Sequence, residues 1–445
     1  MRIQSIHIKN TGVFLNEKIE FACCRPNGAE IHIFTGPNGS GKSTILHSLA
    51  AGFNHVATNK RCQVIHNDLY KRFHSFEEDG GSHRSQIKIV LDNDKTVTSY
   101  GCPNCRNMHI ETNSSEVEEY QTQMGLHEPS SYEFDFALYA SSGYRMVDYQ
   151  FPNDSRLILS DNPLFQSLEF EKKQLQSIPI DEWIWQSMMN KYAAIGQAQN
   201  GDVNVKPQIH AEVIDRITEA IRQVVGNDFD FILQLQPPSV KFKYGNSKKE
   251  LEFNLLADGL KSLISWMADL AKMLNSIHWK DKNKSILDQS VIIFLDEIEV
   301  HLHPLWQRKV LPMVTTLFPN AQIFASSHSP FIINSVDGAW IYKLQANENG
   351  DTHITKHQSN TAISYLTEYI STFGVEEEFG GETQQILDRF QEAIDKLQMN
   401  DSGIAAQNVR DLAQTLMNKN SIAIDNTVGM ALRKLKRLKN IDITL

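Results

Sequence analysis

The chain has 445 residues, 41% apolar and 22% charged, with a formal net charge of −10. That length predicts roughly two or three domains with at least one sizeable core, and the negative balance excludes a protein that coats nucleic acid by bulk electrostatics. No apolar run is long enough to span a bilayer, and Met1-Arg2-Ile3-Gln4 opens into strand-like alternation rather than a signal-peptide core, so a cytoplasmic protein with no membrane partner is expected.

Ile3 to Phe21 alternates like two short strands, with Ile6 and Ile8, then Ile19 and Phe21, around the turn-prone Asn10-Thr11-Gly12. A third strand, Glu30 to Thr35, feeds a glycine-rich loop. A helix starting at Lys42 should carry Ile45, Leu46, Leu49 and Ala50 on its buried side. Between about residues 51 and 250 the pattern is mixed. Strands are expected at Gln86–Leu91, Thr96–Tyr100 and Phe134–Tyr139, then an amphipathic helix over Ile209–Val225 and strands near Phe229–Leu235 and Ser239–Tyr244. With no long heptad run, this stretch reads as a globular lobe rather than a coiled-coil arm. Ala257 to Met273 reads as a helix, Val291–Leu295 as a buried parallel strand, and Gln322–Ala325 as a strand ending at Ser326-Ser327-His328. Beyond Thr361 the chain reads as mostly helical, and its basic segment Arg433–Lys439 as a solvated helix end.

Strand, glycine-rich loop and helix, with buried strands later in the chain, predict an α/β fold: a P-loop head with an inserted mixed α/β lobe and a helical C-terminal tail. The expected divisions are 1–58 (head, with the phosphate loop), 59–250 (inserted lobe completing the head), 251–345 (the rest of the head) and 346–445 (mostly helical, with partner or oligomer contacts).

The loop Gly36-Pro37-Asn38-Gly39-Ser40-Gly41-Lys42-Ser43-Thr44 matches G-x-x-x-x-G-K-[ST]. Its glycines let successive backbone N–H groups turn inward on phosphate oxygens, and the helix N-terminus adds partial positive charge. Lys42 is expected on the β- and γ-phosphates, Ser43 on Mg²⁺, and Thr44 as a further phosphate contact. Asp296, ending a buried strand, would hold the Mg²⁺ shell, and Glu297 would orient and deprotonate the attacking water. His328, just after a strand, sits where a γ-phosphate sensor belongs. A lone histidine at a strand end is more often a hydrogen-bonded surface residue, and the order of loop, acidic pair and histidine is what favours function.

Leu256-Ala257-Asp258-Gly259-Leu260-Lys261-Ser262 opens the helix before the acidic strand, with Asp258 as its expected N-cap. Such a helix start can present N–H groups to the γ-phosphate of a nucleotide held by a second subunit. The five cysteines, Cys23, Cys24, Cys62, Cys102 and Cys105, do not suggest a disulfide framework. Cys102 and Cys105 flank a turn and suit half of a Zn²⁺ knuckle, completed by Cys62, His66, His109 or another subunit. Two reduced cysteines in a turn explain the spacing as well.

Taken together, Gly36–Thr44, Leu256–Ser262, Ile292–Glu297 and His328 resemble an ABC-type ATPase head. Specifically they resemble the RecF/SMC-like and overcoming-lysogenization-defect ATPases, and among these the virulence-associated ATP-binding proteins and the ATPase subunits of Septu and PARIS anti-phage systems. The run from Leu295 to Arg308, and Phe318-Pro319-Asn320-Ala321-Gln322 leading to Ser327-His328-Ser329-Pro330, carry the likeness. It is good over the first 50 residues and roughly 250–340 and loose elsewhere. The resemblance implies ATP and Mg²⁺ as ligands and a homodimer or higher homo-oligomer sandwiching ATP. It also implies a segment, Ile298–His303, that couples the two sites, with Glu299 and His301 as its candidates. The simpler reading is that His301 and His303 pack a helix entry.

The family usually has serine where Ala257 stands. Losing that hydroxyl removes a charge-assisted hydrogen bond of roughly 1.5–3 kcal/mol, so slow hydrolysis or ATP used as a structural switch is expected. Relatives with a built-in Toprim nuclease carry a long C-terminal domain with clustered acids, whereas Glu376-Glu377-Glu378 reads as a solvated loop. Any cutting or toxicity is therefore expected from a partner effector, a nuclease or toxin encoded nearby, in anti-phage defence. A RecF-like DNA-repair clamp is the alternative and leaves DNA binding open. A transporter subunit is disfavoured by the size of the insertion.

Overall fold

The computed structural model describes residues 1–22, 28–53, 85–101, 109–126, 128, 131–143, 162, 164, 167–170, 180–200, 207–245, 250–346, 352–368, 372, 379–399, 403–419, 421–439 and 443. Two compact units divide the chain, Met1–Glu368 and Tyr369–Leu445.

In the first unit, β1 (Ile3–Thr11) and β2 (Phe14–Glu20) pair antiparallel with Ile6 opposite Ile19. Alternation buries Ile6, Ile8 and Ile19 on one face and leaves His7 and Lys18 opposite each other on the other. β3 (Glu30–Thr35) is buried at every position, the burial expected of a strand covered on both faces. Three strands from the long insertion, β4 (Ser85–Leu91), β5 (Thr96–Gly101) and β6 (His109–Thr112), complete a five-stranded antiparallel sheet in the order β2-β1-β4-β5-β6. β7 (Glu133–Phe134) and β8 (Phe136–Ser142) come next, then the antiparallel pair β9 (Asp230–Gln234) and β10 (Ser239–Lys243), then β11 (His278–Trp279).

The remaining strands are β12 (Ser290–Asp296), β13 (Ala321–Ser326), β14 (Trp340–Ala346) and β15 (Thr352–Gln358). They join β3 and β8 in a six-stranded sheet of order β15-β14-β3-β13-β12-β8, in which only the β14–β15 pair is antiparallel. The parallel alignment sends β3, β12 and β13 in one direction, so the turns at their C-terminal ends emerge at the same sheet edge. A buried polar row fixes the register beneath. His32 bonds Glu30 at 2.7 Å and Tyr342 at 3.1 Å, and Gln322 donates to Glu30 and to the Ile3 carbonyl.

Helices form where the periodicities predict them, at Lys42–Ala51, Pro207–Val225 and Asp258–Ser276, and the first unit adds helices at Ser115–Met124, Ile180–Gln199 and Pro304–Leu317 that were not expected. The region from 346 onward, expected to be mostly helical, also contains a strand at Thr352–Gln358. It is an edge strand, exposed over most of its length, so it lacks the apolar alternation that would mark it. The second unit is helical, with helices Gly381–Met399, Gly403–Met417 and Ile422–Lys439 around Phe390, Leu397, Val409, Leu416, Val428 and Leu435. Glu376–Glu378, Cys102, Cys105, Cys62 and His66 lie outside the described residues.

Candidate nucleotide-binding site

The loop between β3 and the Lys42–Ala51 helix is shaped by its glycines. Gly36, Gly39 and Gly41 have φ of 148°, 80° and 103°, a region open to glycine and costly to other residues. At Gly36 a Cβ would also lie 2.3 Å from the Leu344 carbonyl oxygen, and at Gly41 2.6 Å from Phe14 and Val13. Pro37, Asn38 and Gly39 are exposed and Ser40 is buried. The Ser40 carbonyl accepts from Thr352 Oγ1 at 3.1 Å, while its own buried hydroxyl has no partner among the described residues.

Lys42 folds back over this loop, donating from Nζ to the Gly36 and Pro37 carbonyls at 3.0 and 2.9 Å. Burial lowers its pKa, against the attraction of Asp296, Glu297 and Glu299. A buried ammonium bonded to neutral carbonyls beside an orphaned hydroxyl, in a cradle a Cβ would fill, suits a bound polyphosphate. Ser43 Oγ donates to Asp296 Oδ1 at 3.0 Å, an oxygen pair suited to Mg²⁺. Thr44 comes next on the same helix, half-buried.

Asp296 ends β12 and Glu297 follows it in the turn. Ser326 joins them: its hydroxyl donates to Asp296 Oδ1 and accepts from the Glu297 N–H at 2.7 Å. Glu297 has φ 51°, a left-handed conformation that costs a non-glycine residue about 1–3 kcal/mol. Gly143 permits it, since a Cβ there would lie 2.1 Å from the Glu297 carbonyl oxygen, and the Gly143 N–H holds the Asp296 carbonyl at 2.7 Å. His328 is half-buried with its pKa lowered by burial and by Lys42, while Asp296 opposes the shift. Loop, acidic pair and histidine thus share one electrostatic neighbourhood.

Ala257, Asp258, Gly259 and Lys261 open a different helix. Ala257 is the N-cap and makes no side-chain cap bond, so the expectation that Asp258 caps the helix is corrected. Asp258 is already helical, and its carboxylate accepts from Lys261 at 3.2 Å, because the extended backbone ends one residue earlier. Ala257 and Asp258 are exposed. Gly259 is buried against the segment after the acids, and a Cβ would lie 2.4 Å from the His301 carbonyl oxygen. His303 Nδ1 accepts from the Leu305 N–H at 3.2 Å and so caps the Pro304–Leu317 helix. Glu299 accepts from the His328 N–H, and burial raises its pKa.

Sequence reasoning missed Ser326, Gly143 and His47. His47 Nε2 lies 3.9 Å from Asp296 Oδ2, and its signal was available: it stands four residues after Ser43, on the same helix face. Ser326 and Gly143 carry no such signal, since both act through strand register. Among the described residues no group of three or more His, Cys, Asp or Glu side chains is placed to hold a metal. No described helix is long and apolar enough to cross a membrane.

The chain is 21% identical over 404 residues to the Retron Ec83 probable ATPase of Escherichia coli, covering 78% of this chain and 72% of that protein. It is 23% identical over 326 residues to Septu protein PtuA of Bacillus thuringiensis, covering 73% and 72%. With the Retron Vc95 probable ATPase of Vibrio cholerae serotype O1 biovar El Tor it shares 24% over 386 residues, covering 76% and 72%. A solved SmcHead, bound to the C-winged helix domain of ScpA, superposes with TM-score 0.47 at 13% identity, covering 82% of this chain and 100% of that one. Residues 31–334, more than half of the chain, match the family described as "AAA domain, putative AbiEii toxin, Type IV TA system", and the chain belongs to that family as an ABC-type ATPase.

Proposed function

We propose that two copies of this chain close head-to-head around ATP, and that closure and hydrolysis control a partner effector, a nuclease or toxin encoded nearby, in anti-phage defence in the cytoplasm. The observation that carries the nucleotide half is the meeting of Lys42, Ser43, Asp296, Glu297 and His328 at one sheet edge. Lys42 and the backbone N–H groups of the Gly36–Thr44 loop other than Pro37 bind the phosphates, and Ser43 and Asp296 would hold Mg²⁺. When bound, Mg²⁺ neutralises charge on the phosphate oxygens. Glu297 takes the proton of the attacking water, and His328 meets the γ-phosphate.

Closure is supported by the surroundings of the second motif. Ala257 and Asp258 are exposed at a helix N-terminus, a natural partner for a phosphate on another subunit. Large apolar side chains flank that region, with Leu255 67% and Leu305 59% exposed, an arrangement suited to a covered face. The effector half rests on the Septu and retron names of the relatives.

Glu297→Gln should stop turnover and trap an ATP-bound dimer or larger assembly. Light scattering with and without ATP reads this, and an unchanged mass with nucleotide bound overturns the closure. Lys42→Ala should lose nucleotide binding itself. A DNA clamp is favoured by one feature, the solvent-side row in which His7 faces Lys18 on one neighbour and Lys88 on the other. ATP-strengthened, salt-dependent DNA binding by the isolated protein would select that reading.

A further inference from the structure

His47 stands one helical turn after Ser43, on the face that looks toward Asp296. The two carboxylate oxygens of Asp296 have different neighbours. Ser43 Oγ lies 3.0 Å from Oδ1, and His47 Nε2 lies 3.9 Å from Oδ2. The second separation is too long for a hydrogen bond. An octahedral divalent ion with ligand distances of about 2.1 Å separates adjacent ligands by about 3 Å and opposite ligands by about 4 Å. The 3.9 Å from His47 Nε2 to Oδ2 falls between that edge and that diagonal, while the 3.0 Å from Ser43 to Oδ1 is the length of the hydrogen bond it makes.

The imidazole is also held in place. Its ring stacks on Phe170 with centroids 4.0 Å apart and planes 15° from parallel. Phe170 is buried, and its carbonyl accepts from the Ser142 N–H at 2.9 Å. Ser142 in turn pairs in register with Asp296. Ring and carboxylate are therefore positioned by the same strand pair, β8 and β12. The His47 side chain keeps 21% of its exposure, so it borders a solvent-accessible space and is not a core residue.

We infer that His47 is a nitrogen ligand to the divalent ion bound with the nucleotide, and that it biases this site away from Mg²⁺ toward Mn²⁺ and later first-row ions. Mg²⁺ prefers an all-oxygen shell. Affinity for a site containing nitrogen rises from Mn²⁺ along the first row. Replacing one oxygen position by imidazole at Ser43 and Asp296 therefore changes which ion is retained, while the phosphate contacts stay as they are. The inference rests on the Ser43–Asp296 cation site proposed above.

The test uses the full chain with Mn²⁺ and a non-hydrolysable ATP analogue, read by electron spin-echo envelope modulation at the Mn²⁺. The wild type should show modulation from a directly bound ¹⁴N that converts to ¹⁵N when only histidine is labelled. His47→Gln should lose it, and the ratio of Mn²⁺ to Mg²⁺ affinity should fall about tenfold. The labelled wild type decides the matter even if the variant folds poorly. Mn²⁺ that loads with nucleotide and is lost in Ser43→Ala, yet shows no histidine nitrogen, overturns this inference and leaves the cation site standing. Mn²⁺ that fails to load with nucleotide at all overturns the cation site and the inference together.

Discussion

The Glu299 carboxylate accepts a hydrogen bond from the backbone N–H of His328, which ties the turn after β12 to the turn after β13. The acid thereby positions the histidine through its main chain. Glu299→Ala should lower kcat about 10–100-fold, the size of a lost hydrogen bond to a charged group, with ATP affinity within a few-fold of wild type. Glu299→Gln keeps an acceptor oxygen and should recover most of the loss. Steady-state kinetics beside fluorescent-nucleotide binding separates the two effects, and equal defects in both variants would argue against positioning.

Ser326 links the two acids, bonding the Asp296 carboxylate and the Glu297 N–H. Ser326→Ala should reduce kcat by about tenfold or more while leaving nucleotide binding nearly intact. A variant with unchanged kcat would show that Glu297 holds its left-handed backbone without that hydroxyl.

Ala257 caps its helix without a side-chain bond, so a hydroxyl there has two separable effects. Ala257→Ser should stabilise the nucleotide-free protein by about 0.5–2 kcal/mol as an N-cap. It should also raise ATP turnover if the same hydroxyl reaches a phosphate on the partner subunit. Thermal unfolding without nucleotide reads the first effect and ATP hydrolysis the second. A stabilised protein with unaltered turnover would count against engagement between subunits at this position.

Gly259 is required by a backbone contact rather than by phosphate. Because a Cβ would lie 2.4 Å from the His301 carbonyl oxygen, Gly259→Ala should destabilise the protein by about 1–3 kcal/mol. A fall in melting temperature without nucleotide checks this. An unchanged melting temperature would mean that the His301 turn moves freely.

Burial raises the Glu299 pKa above 4.5 and lowers the His328 pKa below 6.5. Just above pH 4.5 the folded chain binds more protons at Glu299 than the unfolded chain, so this group costs stability as pH rises. Just below pH 6.5 it binds fewer at His328, so that group adds stability as pH rises. Relative to wild type, Glu299→Gln should gain stability from pH 4.5 upward, and His328→Gln should show its largest gain in acid and lose it by pH 6.5. Melting curves across this range check both signs. Differences that do not change with pH would contradict them.

The P-loop, the acidic pair and the histidine were legible because each is a contiguous motif whose chemistry depends on residue type. Gly36, Gly41, Lys42 and Asp296 needed no knowledge of distant neighbours. The fully buried β3 and β12 were equally readable, since an apolar run covered on both faces has little other place to go. The edge strand Thr352–Gln358 was not, because a mostly exposed strand places few constraints on its residues.

What the sequence by itself determined is an ABC-type ATPase head with its glycine-rich loop, acidic pair and His328 in order along the chain. Only the tertiary structure decided which groups attend them. Parallel pairing of β8, β12 and β13 brings Gly143, Ser326 and Phe170 beside Asp296 and Glu297. Helical spacing then turns His47 toward the same carboxylate. The residues brought together lie up to about 280 positions apart in the chain, as His47 and Ser326 do, and the roles of Gly143, Ser326 and Phe170 arise from strand register, which no local motif encodes.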